Sequence, residues 1–156
     1  MAWQRLRQHK GTEETGGGNH RGSVFREIVG IALDKNKQYP TWGQGQTAGH
    51  EIRAVENPLE QKVSQVIRAM PFLWLKIYDE SSRNSLRAYI EKNAIALLSN
   101  AGKEAMDSPS QKWLGYRCNL PGVCDSGLWN QDYVDKKHAP EFLEVLDRLI
   151  DEMEVS

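Results

Sequence analysis

Arg5 and His9 stand four residues apart in Arg5-Leu6-Arg7-Gln8-His9. On a helix that spacing puts both side chains on one face. Arg is a persistent cation whose planar fork suits phosphate oxygens. His exchanges a proton near neutral pH. The pair therefore has the makings of a phosphate-directed acid–base site, and a solvated helix face carries the same spacing without any chemistry. A second group is His20-Arg21, which follows Gly16-Gly17-Gly18. Backbone N–H groups in such a loop can cradle phosphate, and a plain loop ending in a helix cap is equally compatible. Cys118 and Cys124 lie in one polar segment without a CxxC pairing. A structural zinc site usually takes four ligands, so these read as two free thiols.

The elements that must position these residues are mostly helical. Residues 3–9 read as a short helical stub that begins without a cap. Residues 11–22 read as flexible and irregular, because of their glycines. Ser23 suits a helix N-cap, and Val24, Phe25, Ile28, Val29, Ala32 and Leu33 form an inward face running to about Lys35. Residues 36–56 read as a polar loop. Asn57-Pro58-Leu59-Glu60 has the form of a helix start, with Pro at the first helical position. Pro71 would close that helix. Phe72-Leu73-Trp74-Leu75-Lys76-Ile77-Tyr78 is short, aromatic and bounded by breakers, so it reads as the chain's one clear strand. A helix over about 82–100 follows. Residues 103–138 read as irregular, anchored by Trp113, Tyr116 and Trp129. A last helix, about 140–155, has Phe142, Leu146, Leu149, Ile150 and Met153 on one face. The expected fold class is thus mixed α/β, in a single domain spanning residues 1–156.

At 39% hydrophobic and 26% charged, the chain has enough apolar content for a core. The formal net charge of -1 predicts no polyanion partner in bulk. Its distribution differs: residues 1–53 hold eight Lys/Arg against five Asp/Glu, and residues 138–156 hold six acids against one Arg. A polyanion would favour the N-terminal part. No apolar run is long enough to span a membrane, and the N-terminus lacks a signal-peptide core. A cytoplasmic protein is the expectation.

In combination, these features resemble the GIY-YIG nuclease family. Its members have two strands, a helix carrying R-x-x-x-H, then a strand, a helix with one essential Glu, and a downstream Asn. Arg5 and His9 match the first pattern. The segment Phe72–Tyr78 precedes Ile90-Glu91-Lys92-Asn93-Ala94-Ile95-Ala96-Leu97-Leu98, which looks like the glutamate helix. Leu128-Trp129-Asn130 looks like the family's aromatic-Asn pair, with residues 101–127 then an insertion; Asn93 and Asn100 compete for that place. The blocks His20-Arg21-Gly22-Ser23-Val24-Phe25-Arg26, Pro71-Phe72-Leu73-Trp74-Leu75 and Ser126-Gly127-Leu128-Trp129-Asn130 resemble one bacterial branch of the family.

The resemblance implies a metal-dependent endonuclease acting on DNA. Catalysis would rest on Arg5, His9, Glu91 and Asn130, with Glu91 holding Mg²⁺ or Mn²⁺. His20, Arg21 and Arg26 would contact nucleic acid. The family's first two strands, with their tyrosine motifs, have no counterpart here: Tyr39, Tyr78, Tyr89, Tyr116 and Tyr133 all lie outside a G-x-Y or Y-x-G context. A truncated reading frame, a decayed remnant and a variant that borrows strands from a partner each account for that gap. The expectation is weak or absent activity, with a non-catalytic nucleic-acid-binding module and a helical interaction domain as alternatives.

Overall fold

The computed structural model describes residues 2–12, 14, 16–79, 82 and 84–154. Helices dominate: α1 (Ala2–Lys10), α2 (Val24–Leu33), α3 (His50–Ala69), α4 (Leu86–Leu98), α5 (Pro121–Ser126) and α6 (Phe142–Glu154). Two 3-10 turns, His20–Gly22 and Leu114–Arg117, join them. None of these helices is long and apolar enough to cross a membrane.

Helix α2 is the axis of the fold. Ser23 caps it, its hydroxyl accepting the Arg26 N–H at 3.3 Å. One side of α2 places Val29 against Leu59, Val63 and Ile67 of α3, with Trp42 closing the cluster. The other side places Ile28 and Ala32 against Cys118 and Val123. A helix with apolar residues on both sides must be sandwiched, which is the position α2 occupies. Gly30 makes the Trp42 contact possible, since a Cβ there would lie 2.1 Å from the indole ring. The segment 101–127, expected as an insertion, contributes both Cys118 and Val123 to this core.

Charge is buried between α2 and α3. Arg26 is fully buried. Its Nε donates to Glu60 Oε2 at 3.0 Å, and its Nη2 donates to the Ser64 hydroxyl at 3.0 Å. Its Nη1 donates to the His9 carbonyl at 2.7 Å, so the same guanidinium holds the end of α1. Arg68 donates to the carbonyls of Lys10 and Thr12 and completes that anchorage. The last carbonyls of a helix lack internal partners, and here arginines supply them. Gly18 permits the crowding, because a Cβ there would lie 2.4 Å from the Arg26 guanidinium carbon. Burial pushes the Glu60 carboxyl up, but hydrogen bonds from His20 and Arg26 outweigh it and hold the group below its ordinary value.

Helix α3 starts at His50, well before Asn57-Pro58, and carries Pro58 inside it. The first turns are held by tertiary contacts that no local signal announces. Glu56 accepts two hydrogen bonds from Arg21, at 2.5 and 2.8 Å, and one from the Thr41 hydroxyl at 2.7 Å. Those bonds offset the cost of proline in a helix interior.

The mixed α/β expectation is corrected: no strand occurs among the described residues, and Phe72–Tyr78 has no ladder. A strand needs a neighbour to take its N–H and C=O groups. The nearby loop offers none, because its end is absorbed into α3. Side chains take up part of the backbone instead. Arg87 donates to the carbonyls of Ile77 and Asp79, and the Lys76 N–H meets the Met153 sulfur at 3.3 Å. Helix α4, capped by Ser85, then packs on α6. Asn93 ties them, its Oδ1 accepting the Ala139 N–H at 2.7 Å. The α4 end is joined to the core region where the Asn100 N–H donates to the Ser126 carbonyl.

Replacing one member of the buried pair should show its weight. Arg26→Met leaves the Glu60 carboxylate buried without its cation and is expected to cost about 3–5 kcal/mol. Arg26→Met combined with Glu60→Met should recover much of that loss, read by urea unfolding. Glu56 and Glu60 both lie below the ordinary 4.5. Their stabilisation is therefore complete above that pH and is lost as pH falls below it. A single substitution costing less than about 1 kcal/mol would remove Arg26 from this role.

Candidate functional site

Helices α1 and α4 both contribute to the lining of a cleft of about 840 Å³, with residues 74–77 as a further part of its wall. Arg5 and His9 of α1, and Glu91 of α4, all line it. Arg5 and His9 are the residues whose types first suggested phosphate chemistry, and Glu91 is the carboxylate that the family resemblance supplied. Lys76 and Arg87 line it too, and they carry no sequence motif. Arg87 and Glu91 stand four residues apart on α4, the same spacing as Arg5 and His9 on α1. Sequence reasoning missed Arg87, and that repeat of spacing is the one local signal that could have found it.

Each side chain is positioned by identifiable contacts. The Arg5 guanidinium donates to Gln8 Oε1 at 3.1 Å, and the Gln8 amide in turn donates to the Gly22 carbonyl. The His9 ring packs edge-on against Phe25, and its Nδ1 lies 2.7 Å from the Ser23 hydroxyl. In the tautomer whose Nδ1–H donates to Ser23, Nε2 is the nitrogen free to take a proton. Burial lowers the His9 pKa from 6.5, and the positive charges of Arg5 and Arg26 lower it further. The imidazole is thus held neutral at neutral pH. Arg87 is pinned by Asp79, Nε to Oδ1 at 3.1 Å. Glu91 is exposed and has no ion pair among the described residues.

Four cationic or basic groups and one free carboxylate make this cleft hospitable to a phosphodiester. Among the described residues no three His, Cys, Asp or Glu side chains converge. A divalent ion would therefore find one carboxylate, Glu91, and draw the rest of its shell from water and phosphate oxygens. That donor set fits Mg²⁺, which keeps several waters and binds through one or two carboxylates plus phosphate.

The other residues expected at the site lie elsewhere. Asn130 forms a local turn, its Oδ1 accepting the Asp132 N–H at 2.8 Å, and does not line the cleft. Its neighbour Trp129 packs against Trp113 and Phe25. Asn93 is buried and bonded within α4 and to Ala139. Asn100 donates to the Asp107 carbonyl. His20, Arg21 and Arg26, expected on nucleic acid, are instead engaged with the protein interior. The Gly43 N–H donates to His20 Nε2, so Nδ1 carries the proton given to Glu60 at 2.9 Å. The His20 ring stacks on Trp42 with centroids 3.8 Å apart. Arg21 forks onto Glu56, and Arg26 onto Glu60. Their carboxylate partners come from the next long helix, so no local pattern paired them.

A family model described as the GIY-YIG domain matches residues 1–156. No curated protein and no solved structure matches the chain.

The charge arrangement around His9 can be read by NMR titration. Its midpoint is expected below 6.5, and Arg5→Gln should move it upward by removing a like charge. A midpoint at or above 6.5 that ignores Arg5→Gln would contradict the juxtaposition.

Proposed function

The chain belongs to the GIY-YIG domain family, and from that premise we propose that it is a metal-dependent endonuclease that hydrolyses DNA phosphodiester bonds. The observation that carries this reading is the meeting of Arg5, His9 and Glu91 in one cleft, although Glu91 is far from the other two in sequence. Arg5 stabilises negative charge as it grows on the phosphate oxygens. His9, held neutral, takes a proton from water through Nε2. Lys76 and Arg87 add positive potential that attracts the nucleic-acid backbone. Glu91 would hold Mg²⁺ or Mn²⁺. A bound divalent ion supplies Lewis-acid polarisation of the scissile phosphate.

Among the described residues no tyrosine lines the cleft, so in this reading proton transfer falls to His9. A missing proton-transfer group typically costs roughly 10²–10⁴-fold in rate. Slow turnover follows from that deficit. Binding without cleavage is the alternative, because the cationic lining remains even where chemistry fails.

The test is nicking of supercoiled DNA over hours, with and without Mg²⁺. Slow, Mg²⁺-dependent nicking is expected, with Glu91→Ala at background and Arg5→Ala lowered at least about 10²-fold. DNA binding should weaken steeply with salt in all three proteins. Salt-sensitive binding with no Glu91-dependent nicking would replace the nuclease with the non-catalytic binding module. Loss of both would sink the nucleic-acid reading.

A further inference from the structure

The segment 72–78, of which residues 74–77 wall the cleft, exposes apolar side chains of a kind that folding ordinarily buries. Leu73 is fully exposed at 101%, Trp74 is 64% exposed, and Phe72 and Tyr78 are exposed as well. Trp42, Trp113 and Trp129 of the same chain pack into clusters. Trp74 has neither a ring nor a cation packed on it among the described residues. The rings beside it do carry cations. The Lys10 ammonium sits 4.6 Å from the Phe72 ring centre, and the Lys76 ammonium sits 4.8 Å from that of Tyr78. The ridge is thus an exposed indole flanked by two cation-capped rings, and Trp74 and Lys76 line the same cleft as Arg5 and Glu91.

We propose that this ridge is a stacking platform for unpaired bases, and that the substrate is a nucleic acid with single-stranded nucleotides next to the phosphate held in the cleft. This rests on the nuclease reading for the phosphate's place, though not for the binding itself. Every base has an apolar face that stacks on an indole, and every nucleotide brings a phosphate for a neighbouring cation. Bases within an intact duplex are already stacked on each other and cannot present those faces. A patch built for a protein partner would place its aromatic anchors in a core depleted of lysine. Here lysines lie directly on the rings, with Arg5 and Arg87 close by in the cleft, which is the charge pattern a polyanion needs.

The experiment measures affinity by fluorescence anisotropy in EDTA, so that binding is read without cleavage. The probes are a labelled single-stranded oligonucleotide and the blunt duplex of the same sequence. The intact chain should prefer the single strand. Trp74→Ala should weaken single-strand binding roughly 10-fold, and the single-strand to duplex ratio should fall toward one. Trp74→Phe, which keeps a ring, should retain most of the preference. Because Trp74 is exposed, circular dichroism of both variants should match the parent. Equal affinity for the two probes, or a Trp74→Ala protein that binds the single strand as well as the parent, overturns the platform whatever the nicking assay shows. The same holds if Trp74→Ala abolishes self-association in sedimentation while oligonucleotide affinity stands, since the ridge would then be a protein interface. Trp74-dependent single-strand binding without Mg²⁺-dependent nicking keeps the platform and discards the nuclease.

Discussion

The Arg26 guanidinium is the joint on which the rest of the molecule turns. It is fully buried, and its donors reach Glu60 and Ser64 on α3 and the His9 carbonyl at the end of α1. Three helices are therefore referred to one planar cation. Glu60 extends the arrangement, accepting from the His20 backbone N–H at 2.6 Å and from the His20 ring. His20 in turn receives the Gly43 N–H and stacks on Trp42, which closes the apolar cluster between α2 and α3. A buried ion pair is weak evidence for net stability, because desolvation opposes the Coulombic gain. What it supplies here is geometry: every partner has a direction, so α1 docks in one orientation.

That orientation is what makes a site. His9 belongs to the same residue whose carbonyl Arg26 grips, and its ring is held at Ser23, the cap of α2. One turn back, Arg5 is steadied through Gln8 and the Gly22 carbonyl. On α4, Arg87 fixes the end of the 72–78 segment and leaves Glu91 one turn further along. The two helices contribute complementary chemistry, a cation and a neutral base from one, a carboxylate from the other. Burial above all, and then the positive charges of Arg5 and Arg26, hold the His9 pKa below its ordinary value.

The unpaired segment between α3 and α4 is the fold's exception. It has the composition of a strand, yet its aromatic side chains are exposed, and Trp74 lines the cleft rather than a sheet. Composition of that kind reports only that a stretch fits a half-buried pleated surface. Without a neighbour, the local preference has nothing to act on.

Several features were written in the chain itself. The α2 apolar face, the Ser23 cap, the Pro71 stop and the last helix all follow from spacing and residue type, because capping and periodicity act within a few residues. Arg5 and His9 were nameable from their spacing, and Glu91 only through the resemblance of residues 90–98 to the family's glutamate helix. What only the tertiary structure decided is which charges are structural and which are free. His20, Arg21 and Arg26 have the residue types of a phosphate-binding loop, but Glu56 and Glu60 of α3 claim them. The early start of α3 depends on those same contacts, and so does the seat of α1. The reason is physical: a side chain's solvent exposure and its ionic partner are set by residues far away in sequence. A local pattern can state what Arg26 is able to do, but only the packing of α2 on α3 determines that its charge faces Glu60 rather than a substrate.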